Sequence, residues 1–524
     1  MIRLREISLP PEHNIAQLQF EAARLLKVQS GKVRQIKLVR RSVDARKKPD
    51  VRIVYTVDVA VDGNEEKIIR NSGCKRASIA PISYYRVPKG VEATTRPVVV
   101  GFGPAGMFAA LVLALAGLNP IVLERGEDAQ TRHEKVQAFF DSGKLNPKSN
   151  VQFGEGGAGT FSDGKLNTGV NNPRIGWILE QFVAAGARED ILFDAKPHVG
   201  TDVLLQVVQN IRKRIIDLGG EVRFSSQVTR IFQEDGKVVG LGLESGEKIP
   251  CQQVIFAIGH SARDTFAMLE ELGISMEPKP FSMGVRIEHL QEKINWAQYE
   301  TAELPLPPAD YKLVAHLDEE TVYTFCMCPG GYVVAAASEE GRVVTNGMSY
   351  ADRGGENANA ALLVTLNPKD FPYEGALGGV KWQRELEERA FAVGGGNYCA
   401  PAQRLGDFLK RQPSSGEGRV KPTYRPGVTW CELHDVLPKK ITDALEKAIP
   451  ILDGRLHSFA DCDAVLTAPE TRSSSPVRIV RGDNKQSVSL AGLYPAGEGA
   501  GYAGGIMSAA IDGMLCAEAL IEQI

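Results

Sequence analysis

The sequence predicts an α/β protein in which a doubly wound, Rossmann-like domain is interrupted by a mixed, β-rich insert and preceded by a small α+β domain. Three observations support this prediction. A strand, glycine turn and helix pattern begins at residue 98, a second glycine-rich turn precedes a helix near residue 505, and residues 1–95 differ in charge from the rest. The predicted domains are 1–95, 96–280, 281–454 and 455–524, the second and fourth forming one nucleotide-binding domain.

Composition and length are those of an ordinary globular protein of several domains. The chain has 524 residues, of which 43% are hydrophobic and 24% charged. Its start, MIRLREISLPPEHN, carries charges and prolines where a signal peptide needs an apolar region. The apolar run 107–123 is interrupted and shorter than the roughly 20 residues of a membrane span. Eight scattered cysteines indicate a reducing compartment, so we expect a cytoplasmic protein without a membrane span.

The first predicted domain is basic. Residues 1–95 hold 19 Lys and Arg against 10 Asp and Glu, a net charge of +9, whereas the rest of the chain holds 42 against 54. The pattern of apolar and polar residues predicts strands at 2–7, 33–42 and 51–61 and a helix at 14–27, with the basic turn VDARKKPD between the long strands. Residues 32–52 are the candidate contact for an acidic partner such as RNA. We favour a solvated tip or docking on the acidic body, because the turn has no interleaved aromatic residues.

Residues 98–123, VVVGFGPAGMFAALVLALAGLNPIVL, predict a nucleotide site. Gly101, Gly103 and Gly106 have the G-x-G-x-x-G spacing that follows a buried strand and opens a helix. The first glycine allows the tight turn, the second lets the backbone approach a pyrophosphate, and the third lets helix and strand pack closely. Glu124 then ends the next strand, where a carboxylate accepts hydrogen bonds from a ribose diol. A 2′-phosphate would be repelled there, so NADP is the poorer ligand.

The glycine-rich run 152–168, QFGEGGAGTFSDGKLNT, predicts a loop whose backbone lies against a flat or anionic group. A helix at 202–218 and a strand at 221–224 follow. Three alternating segments separated by the turns EDGK and ESGEK then predict a small antiparallel sheet, which leads into a parallel strand at 254–259.

The C-terminal run 490–513, LAGLYPAGEGAGYAGGIMSAAIDG, reads as a strand, a glycine-rich turn and a helix that begins near Gly505. It brings a second helix N-terminus to the nucleotide site. FAD is long enough to need both helix ends, with the pyrophosphate at the first and the flavin ring at the second. The positive end of the C-terminal helix would stabilise the negative charge of the reduced flavin.

These motifs carry a family resemblance. VVVGFGPAG with ERG, FAIGHSARDT and YPAGEGAGYAGGI resemble the glutathione-reductase-type flavoproteins. GEGGAGTFSDGKLNT, FSMGVRIEH, YTFCMCPGG, ETRSSSPVRI and the basic hairpin are similar to a family of bacterial FAD-dependent dehydrogenases. In many relatives an aspartate follows the late glycine, where this chain has Glu498. The resemblance implies non-covalent FAD bound by Gly101, Gly103, Pro104, Ala105, Gly106, Glu124, Arg125, Gly157, Ala158, Gly159, Thr160, Phe161, Ser162, Val228, Gly259, Gly497, Glu498, Gly501, Tyr502, Ala503, Gly504, Gly505 and Ile506.

The expected chemistry is hydride transfer between flavin N5 and a small-molecule substrate. The sequence shows neither a second dinucleotide-binding unit nor the redox C-x4-C of the disulfide reductases, and FAIGHSARDT lacks the Asp-Gly signature of aromatic hydroxylases. NADH or NADPH is a candidate transient electron donor. The alternative function is an FAD-containing binding or RNA-modifying factor that is steered by the basic N-terminal domain.

The leading catalytic candidates, Arg286, Glu288 and His289, lie in FSMGVRIEH. On a strand, Arg286 and Glu288 share one face and His289 lies on the other, so all three cannot line one pocket. The structural alternative is that Arg286 pairs internally with a carboxylate such as Glu288. The further candidates are Asp163, Lys165 and His260. We predict no metal site, and we interpret the C-x-C pair in TFCMCPGG as two strand thiols of a core.

Overall fold

The computed structural model describes residues 1–81, 84–90, 93–169 and 171–524. Residues 82, 83, 91 and 92 of the predicted N-terminal domain lie outside this described part. Across these described ranges, each helix is too short or too polar to pass through a lipid bilayer.

The N-terminal residues form a four-stranded antiparallel sheet with the strand order β2-β3-β1-β4. One face is covered by the first helix, whose Leu18, Ala22 and Leu26 join the strand side chains in a separate core. The prediction of strand, helix and two long strands is confirmed, and the structure adds a short helix and an edge strand. The elements are β1 (Ile2–Leu9), α1 (Ala16–Leu26), β2 (Val33–Asp44), β3 (Arg52–Val61), α2 (Glu65–Ser72) and β4 (Ala77–Ile79).

The basic hairpin β2–β3 contacts the body of the same chain. The Arg41 guanidinium donates to both carboxylate oxygens of Asp194, at 2.7 and 2.9 Å, and its backbone pairs with that of the same segment. The Lys48 ammonium donates to the carbonyl of Ala297. These contacts support the docking interpretation, while a nucleic-acid contact through residues 32–52 stays a prediction.

The part of the chain predicted to bind a nucleotide begins with short parallel strands and long helices. The predicted meander is present as an antiparallel three-stranded sheet of order β10-β9-β8. The elements are β5 (Val98–Val100), α3 (Pro104–Leu115), β6 (Ile121–Leu123), α4 (Ala129–Ser142), α5 (Arg174–Ala184), α6 (Thr201–Asp217), β7 (Glu221–Arg223), β8 (Val228–Glu234), β9 (Lys237–Leu243), β10 (Lys248–Pro250), β11 (Val254–Phe256), α7 (Arg263–Glu271) and β12 (Met276–Pro278).

The inserted part is built on a mixed seven-stranded sheet of order β14-β15-β18-β13-β21-β19-β20. Its elements are β13 (Phe281–Leu290), α8 (Gln291–Tyr299), β14 (Val314–His316), β15 (Thr321–Cys328), β16 (Tyr332–Ala335), β17 (Thr345–Met348), β18 (Asn357–Leu366), α9 (Gly378–Val393), β19 (Ala400–Arg404), α10 (Leu405–Phe408), β20 (Val428–Trp430), α11 (Lys439–Asp453) and β21 (Val465–Glu470). Strand β21 pairs with β13 and β19. The predicted boundary at residue 454 is therefore too early, because the insert needs residues 465–470 to fill its sheet.

The chain then returns to the first sheet through β22 (Val477–Ile479), β23 (Leu493–Pro495) and α12 (Ile506–Gln523). The five-stranded sheet is wholly parallel, with the order β23-β11-β5-β6-β7. Helices α3 and α12 lie side by side on it, so close that a Cβ on Gly513 would stand 2.0 Å from the Ala105 carbonyl oxygen. Both helix N-termini therefore open at the carboxyl edge of one sheet, where α/β proteins bind nucleotides.

Candidate flavin and substrate site

The turn between β5 and α3 is shaped by three glycines with different roles. Gly101 has φ +94°, and a Cβ there would lie 2.3 Å from the Ala257 carbonyl oxygen. A Cβ on Gly106 would lie 2.0 Å from the Gly101 carbonyl oxygen. In contrast, the nearest described atom to a Cβ on Gly103 is the Gly157 Cα at 3.6 Å. Gly101 and Gly106 are thus required by protein packing, whereas Gly103 leaves room on the ligand side.

Glu124 fixes the backbone around this turn. Its Oε2 accepts a hydrogen bond from the Phe102 N–H at 2.8 Å, and its Oε1 accepts from Gly126 at 2.9 Å and Gly154 at 3.0 Å. The carboxylate also lies on the cavity described below. It therefore ties the first glycine turn to the glycine-rich loop in addition to the predicted contact with a ribose.

The glycine-rich loop is held by a buried arginine that the sequence did not single out. Arg132, on α4, donates to the carbonyl oxygens of Asn150, Val151, Glu155 and Gly157 at 2.6 to 2.9 Å. Burial lowers the pKa of its guanidinium to about 9. Because Arg132 holds four backbone carbonyls of the loop, it positions residues 157–159 on the cavity wall beside Gly103.

The second helix N-terminus, that of α12, faces the same space. Among the described atoms, nothing lies within 4 Å of a Cβ built on Gly504 or Gly505. Within the described residues no side chain caps the first turn of α3 or of α12, so their terminal N–H groups can meet a ligand. Behind the turn, Asp512 accepts a hydrogen bond from the Gly497 N–H at 2.7 Å and pairs with Arg481 at 2.6 Å. The N-termini of α3 and α12 thus both open on one cavity.

The cavity has a volume of about 810 Å³ and continues from the glycine turns into the insert. Most of the predicted cofactor residues line it, including Pro104, Arg125, Ala158, Val228 and Gly259. Glu498 lines it too, and burial raises the pKa of this carboxyl to about 7. Seven of the predicted residues are not among those that line the cavity; these are Gly106, Thr160, Phe161, Gly497, Gly501, Tyr502 and Ala503.

Two of the further catalytic candidates, Lys165 and His260, also line the cavity. The Lys165 ammonium lies 3.0 Å from a carboxylate oxygen of Asp163, which is buried and pairs with Arg353 at 2.7 Å. Burial alone would lower the pKa of Lys165, but the attraction of Asp163 raises it on balance. Burial lowers the pKa of His260 to about 3. Lys165 is therefore a cation in the site, whereas His260 is neutral at physiological pH.

The three leading candidates of the FSMGVRIEH segment are buried inside the insert, not on the cavity wall. They lie on β13, which has strands on both sides and side chains packed against both faces. Glu288 accepts from the Thr423 hydroxyl at 2.6 Å and the Asn357 amide at 3.0 Å. His289, on the other face, contacts the Phe459 carbonyl oxygen at 2.8 Å. The structure therefore places neither Glu288 nor His289 where it could contact a substrate in the cavity.

Arg286 is a buried crosslink rather than a clamp open to a substrate. It donates to the Asn359 amide oxygen at 2.8 Å, to Glu470 at 3.2 Å and to the Cys326 carbonyl oxygen at 2.7 Å. Its carboxylate partner is therefore Glu470 on the neighbouring strand β21. Spacing along the strand favours Glu288 as that partner, but a strand pairing that is distant in sequence supplies Glu470 instead.

Replacing Arg286 with alanine is expected to destabilise the protein by about 3 to 5 kcal/mol, because it leaves a buried carboxylate without its counter-charge. Arg286→Lys should lose less, since an ammonium keeps the charge but not the forked contacts. Urea unfolding measures both, with Arg478→Ala as control because its pair with Glu277 is half exposed. Normal stability combined with lost substrate turnover would instead restore Arg286 as a substrate clamp.

Glu470 is a cavity residue that the sequence reasoning missed. It lines the wall at the inserted side, and within the described residues its Oε2 has no hydrogen-bond partner. Burial raises the pKa of Glu470 to about 7, although Arg286 opposes the shift. The sequence carries one signal for it, an acid that ends the apolar strand VLTAPE in a segment of the family resemblance. Such a carboxyl can both give and take a proton at neutral pH.

The C-x-C pair is divided between the cavity and the core. Cys326 lines the cavity, whereas Cys328 is fully buried, so the interpretation as two core thiols is correct only for Cys328. A hydrogen bond with Cys328 lowers the pKa of the Cys326 thiol to about 5; burial opposes the shift, and Lys165 and Arg286 add to it. Burial raises the pKa of Cys328. Cys326 is thus the thiol of the pair that loses its proton more readily, and Cys328 is the one that keeps it.

Alkylation of Cys326 by iodoacetamide is expected to stay fast as the pH falls from about 8 to about 6, because the lowered pKa keeps the thiolate present above about 5. An ordinary thiol loses roughly tenfold in rate per pH unit below its pKa of about 8.5. Lys165→Met should raise the pKa of Cys326, because Lys165 adds to the lowering, so the rate should begin to fall at a higher pH than in the wild type. Lys196→Met is the control, because Lys196 pairs with Asp310 at the cavity. A tenfold decline per unit in the wild type would contradict the assignment.

A buried ionic cluster joins the two halves at the cavity. Glu387 of α9 accepts from Arg263 at 2.8 Å and from Arg472 at 2.9 Å, and Arg472 also contacts Ser261 at 3.2 Å. Burial would raise the pKa of Glu387, but the two guanidiniums hold it well below its usual value. The motifs FAIGHSARDT and ETRSSSPVRI therefore meet here, where they fix the insert against the nucleotide-binding sheet.

Comparison with known proteins gives one family match for the inserted part of the chain and one for the N-terminal part. Residues 280–473 match the family described as "FAD-dependent protein, C-terminal domain-like", and residues 1–60 match a domain of unknown function, DUF8436. Among solved structures, CtdE in complex with FAD is 11% identical, with a TM-score of 0.33 over 82% of this chain and 85% of CtdE. Glycine oxidase from Bacillus cereus is 12% identical, with a TM-score of 0.33 over 82% of this chain and 98% of the oxidase.

An uncharacterised protein of Clostridium beijerinckii is 46% identical over 528 aligned residues, which span 100% of this chain and 99% of that protein. Because this identity extends from end to end, the chain belongs to the same protein family as the Clostridium beijerinckii protein.

Proposed function

We propose that the protein is an FAD-dependent oxidoreductase of the glutathione-reductase type, which exchanges a hydride equivalent with a small molecule bound at the inserted domain. The observation that carries this proposal is the single cavity that joins two open helix N-termini to Lys165, Cys326 and Glu470. The match of the insert to FAD-dependent proteins supports it.

The space beside Gly103, Gly504 and Gly505 fits a dinucleotide cofactor. The free space at Gly103, Gly504 and Gly505 lies where a side chain would enter the cavity, beside helix N-termini that favour anionic groups. In the proposed arrangement Gly103 and Ala105 receive the pyrophosphate, Glu124 the ribose, and residues 504–506 the flavin ring. When bound, FAD supplies two-electron redox chemistry.

The chain's own contribution is to position the substrate and to move its proton. Lys165, a half-buried cation paired with Asp163, would orient an anionic or carbonyl group of the substrate. Glu470 would then hold or release the proton that accompanies hydride transfer. Because its pKa is raised to about 7, Glu470 is protonated and able to donate below that pH and able to accept above it.

The test of this function is anaerobic mixing of the purified holoprotein with NADH and with NADPH, followed by reoxidation with a panel of small molecules. We expect bleaching of the flavin absorbance by at least one reductant and selective reoxidation by one class of substrate. A flavin that is bound but is reduced by no donor, dithionite included, and reoxidised by no acceptor would contradict an oxidoreductase.

A further inference from the structure

The strand that carries Cys326 is distorted at the cavity. Pairing of β15 with β18 shifts register between Phe325 and Cys328, and Cys326 has the left-handed φ of +42°. In a regular strand alternate residues face one side, but here every residue from 324 to 327 lines the cavity. β-Bulges commonly re-aim side chains next to functional sites. The bulge thus turns Cys326 toward the cavity and leaves Cys328 buried immediately behind it.

Two cations, Arg286 and Lys165, contact the segment that carries the two cysteines. Arg286 Nη2 donates to the Cys326 carbonyl oxygen at 2.7 Å and contacts the Cys328 Sγ at 3.4 Å. The Lys165 ammonium donates to the Met327 carbonyl oxygen between the two cysteines. Neighbouring positive charge is what stabilises reactive thiolates in proteins.

We propose that Cys326 and Cys328 form a redox-active dithiol–disulfide pair, through which a disulfide substrate exchanges two electrons with the flavin. The inference rests on the FAD-dependent function proposed above and names its substrate class. Cys326 faces the cavity and is the attacking sulfur, while the buried Cys328 is the resolving sulfur.

The proposed exchange is balanced in atoms, charge and electrons. The Cys326 thiolate attacks one sulfur of the substrate R–S–S–R, forming a mixed disulfide and releasing R–S⁻. This leaving thiolate takes the proton of Cys328 and departs as R–SH. The Cys328 sulfur then attacks the Cys326 sulfur, forms the Cys326–Cys328 disulfide and releases the second R–S⁻. Two electrons and one proton from a reduced flavin, which becomes oxidised, restore the thiolate and thiol.

The order of the two sulfurs follows from their surroundings. Thiolates attack and thiols do not, so the sulfur that meets a substrate must be the deprotonated one. Cys328 keeps its proton while Cys326 is charged, because burial and the neighbouring thiolate both raise the pKa of Cys328. Once Cys326 is in a mixed disulfide, that neighbouring charge is gone and Cys328 can ionise.

The test equilibrates the full-length holoprotein in glutathione buffers of increasing potential and then traps free thiols by alkylation. Tryptic cleavage after Lys312 and Arg342 leaves both cysteines, and no others, in one peptide of residues 313–342. In the wild type we expect this peptide to lose the mass of two hydrogens as the disulfide forms. Cys328→Ser should instead accumulate the Cys326–glutathione mixed disulfide, and Cys326→Ser should form neither. Cys462→Ser, an exposed cysteine outside the cavity, is the control.

A second measurement links the pair to the flavin. With the pair oxidised, anaerobic reduction of the flavin by NADH or by light should bring back two free thiols per chain in the wild type. Thiols that stay unpaired through the glutathione titration would overturn the inference. A disulfide that survives full flavin reduction would overturn it as well. If the flavin is present and reducible in either case, the proposed oxidoreductase function stands alone; if no FAD binds, that function fails instead.

Discussion

Gly103→Val is expected to abolish FAD binding while leaving the protein folded. A Cβ at residue 103 has the Gly157 Cα at 3.6 Å as its nearest described neighbour, an ordinary contact, so the protein itself tolerates a side chain there. The branched side chain would occupy the space into which the pyrophosphate fits, and it would separate the phosphates from the N-terminus of α3. The measurements are FAD content after purification, affinity for added FAD, and melting temperature.

Two other glycine variants serve as controls for Gly103→Val. Gly176→Val, on α5 with no described atom within 4 Å of its Cβ, should keep both FAD and stability. Gly106→Val should lose both, because its Cβ would lie 2.0 Å from the Gly101 carbonyl oxygen. Normal FAD content in Gly103→Val would place the pyrophosphate elsewhere, and loss of folding in it would show that residue 103 is structural.

Glu470→Gln is expected to slow reoxidation of the reduced flavin by substrate by about 10²- to 10⁴-fold, the range for loss of a positioned proton donor or acceptor. The amide keeps the size of the side chain but removes the charge that pairs with Arg286, so melting temperature is measured as well and the rate is expressed per bound FAD. The wild-type rate should show an ionisation near pH 7, set by the raised pKa of Glu470, and the variant should lack it. Stopped-flow reoxidation across this pH range measures both effects.

The matched variant is Glu498→Gln, since Glu498 shares the cavity and its pKa is also raised to about 7. We expect Glu498→Gln to change FAD affinity more than rate and to keep the ionisation near pH 7. If the ionisation vanishes in Glu498→Gln and persists in Glu470→Gln, then Glu498 is the proton-transfer residue and the assignment of Glu470 is wrong.

Local patterns predicted the nucleotide half of the fold well. A buried strand, three glycines and an apolar helix are encoded within residues 98–123, and β5, α3 and β6 lie there. The C-terminal turn and helix were equally local, and α12 begins at Ile506 as expected near Gly505. Such elements can be read from the sequence because each is specified by residues adjacent in the chain.

The residues on the inserted side of the cavity could not be predicted in the same way, because strands that are distant in the sequence bring them together. Arg286 can pair with Glu470 only because β21 lies next to β13, although the two residues are 184 positions apart in the chain. No local pattern indicates that β13 is covered on both faces, which is why its three polar residues were expected at the flavin. The exposure of Cys326 to the cavity depends on a bulge against β18, a register shift that alternation does not encode.

The central claim is that the cavity between α3, α12 and the insert holds a flavin. The most direct measurement is the FAD content of purified full-length protein, determined by its absorbance spectrum and by chromatography of the cofactor released on denaturation. We predict a yellow protein with a single, non-covalent FAD per chain, lost in Gly103→Val and kept in Gly176→Val. A colourless wild-type protein that also fails to bind added FAD would contradict the claim.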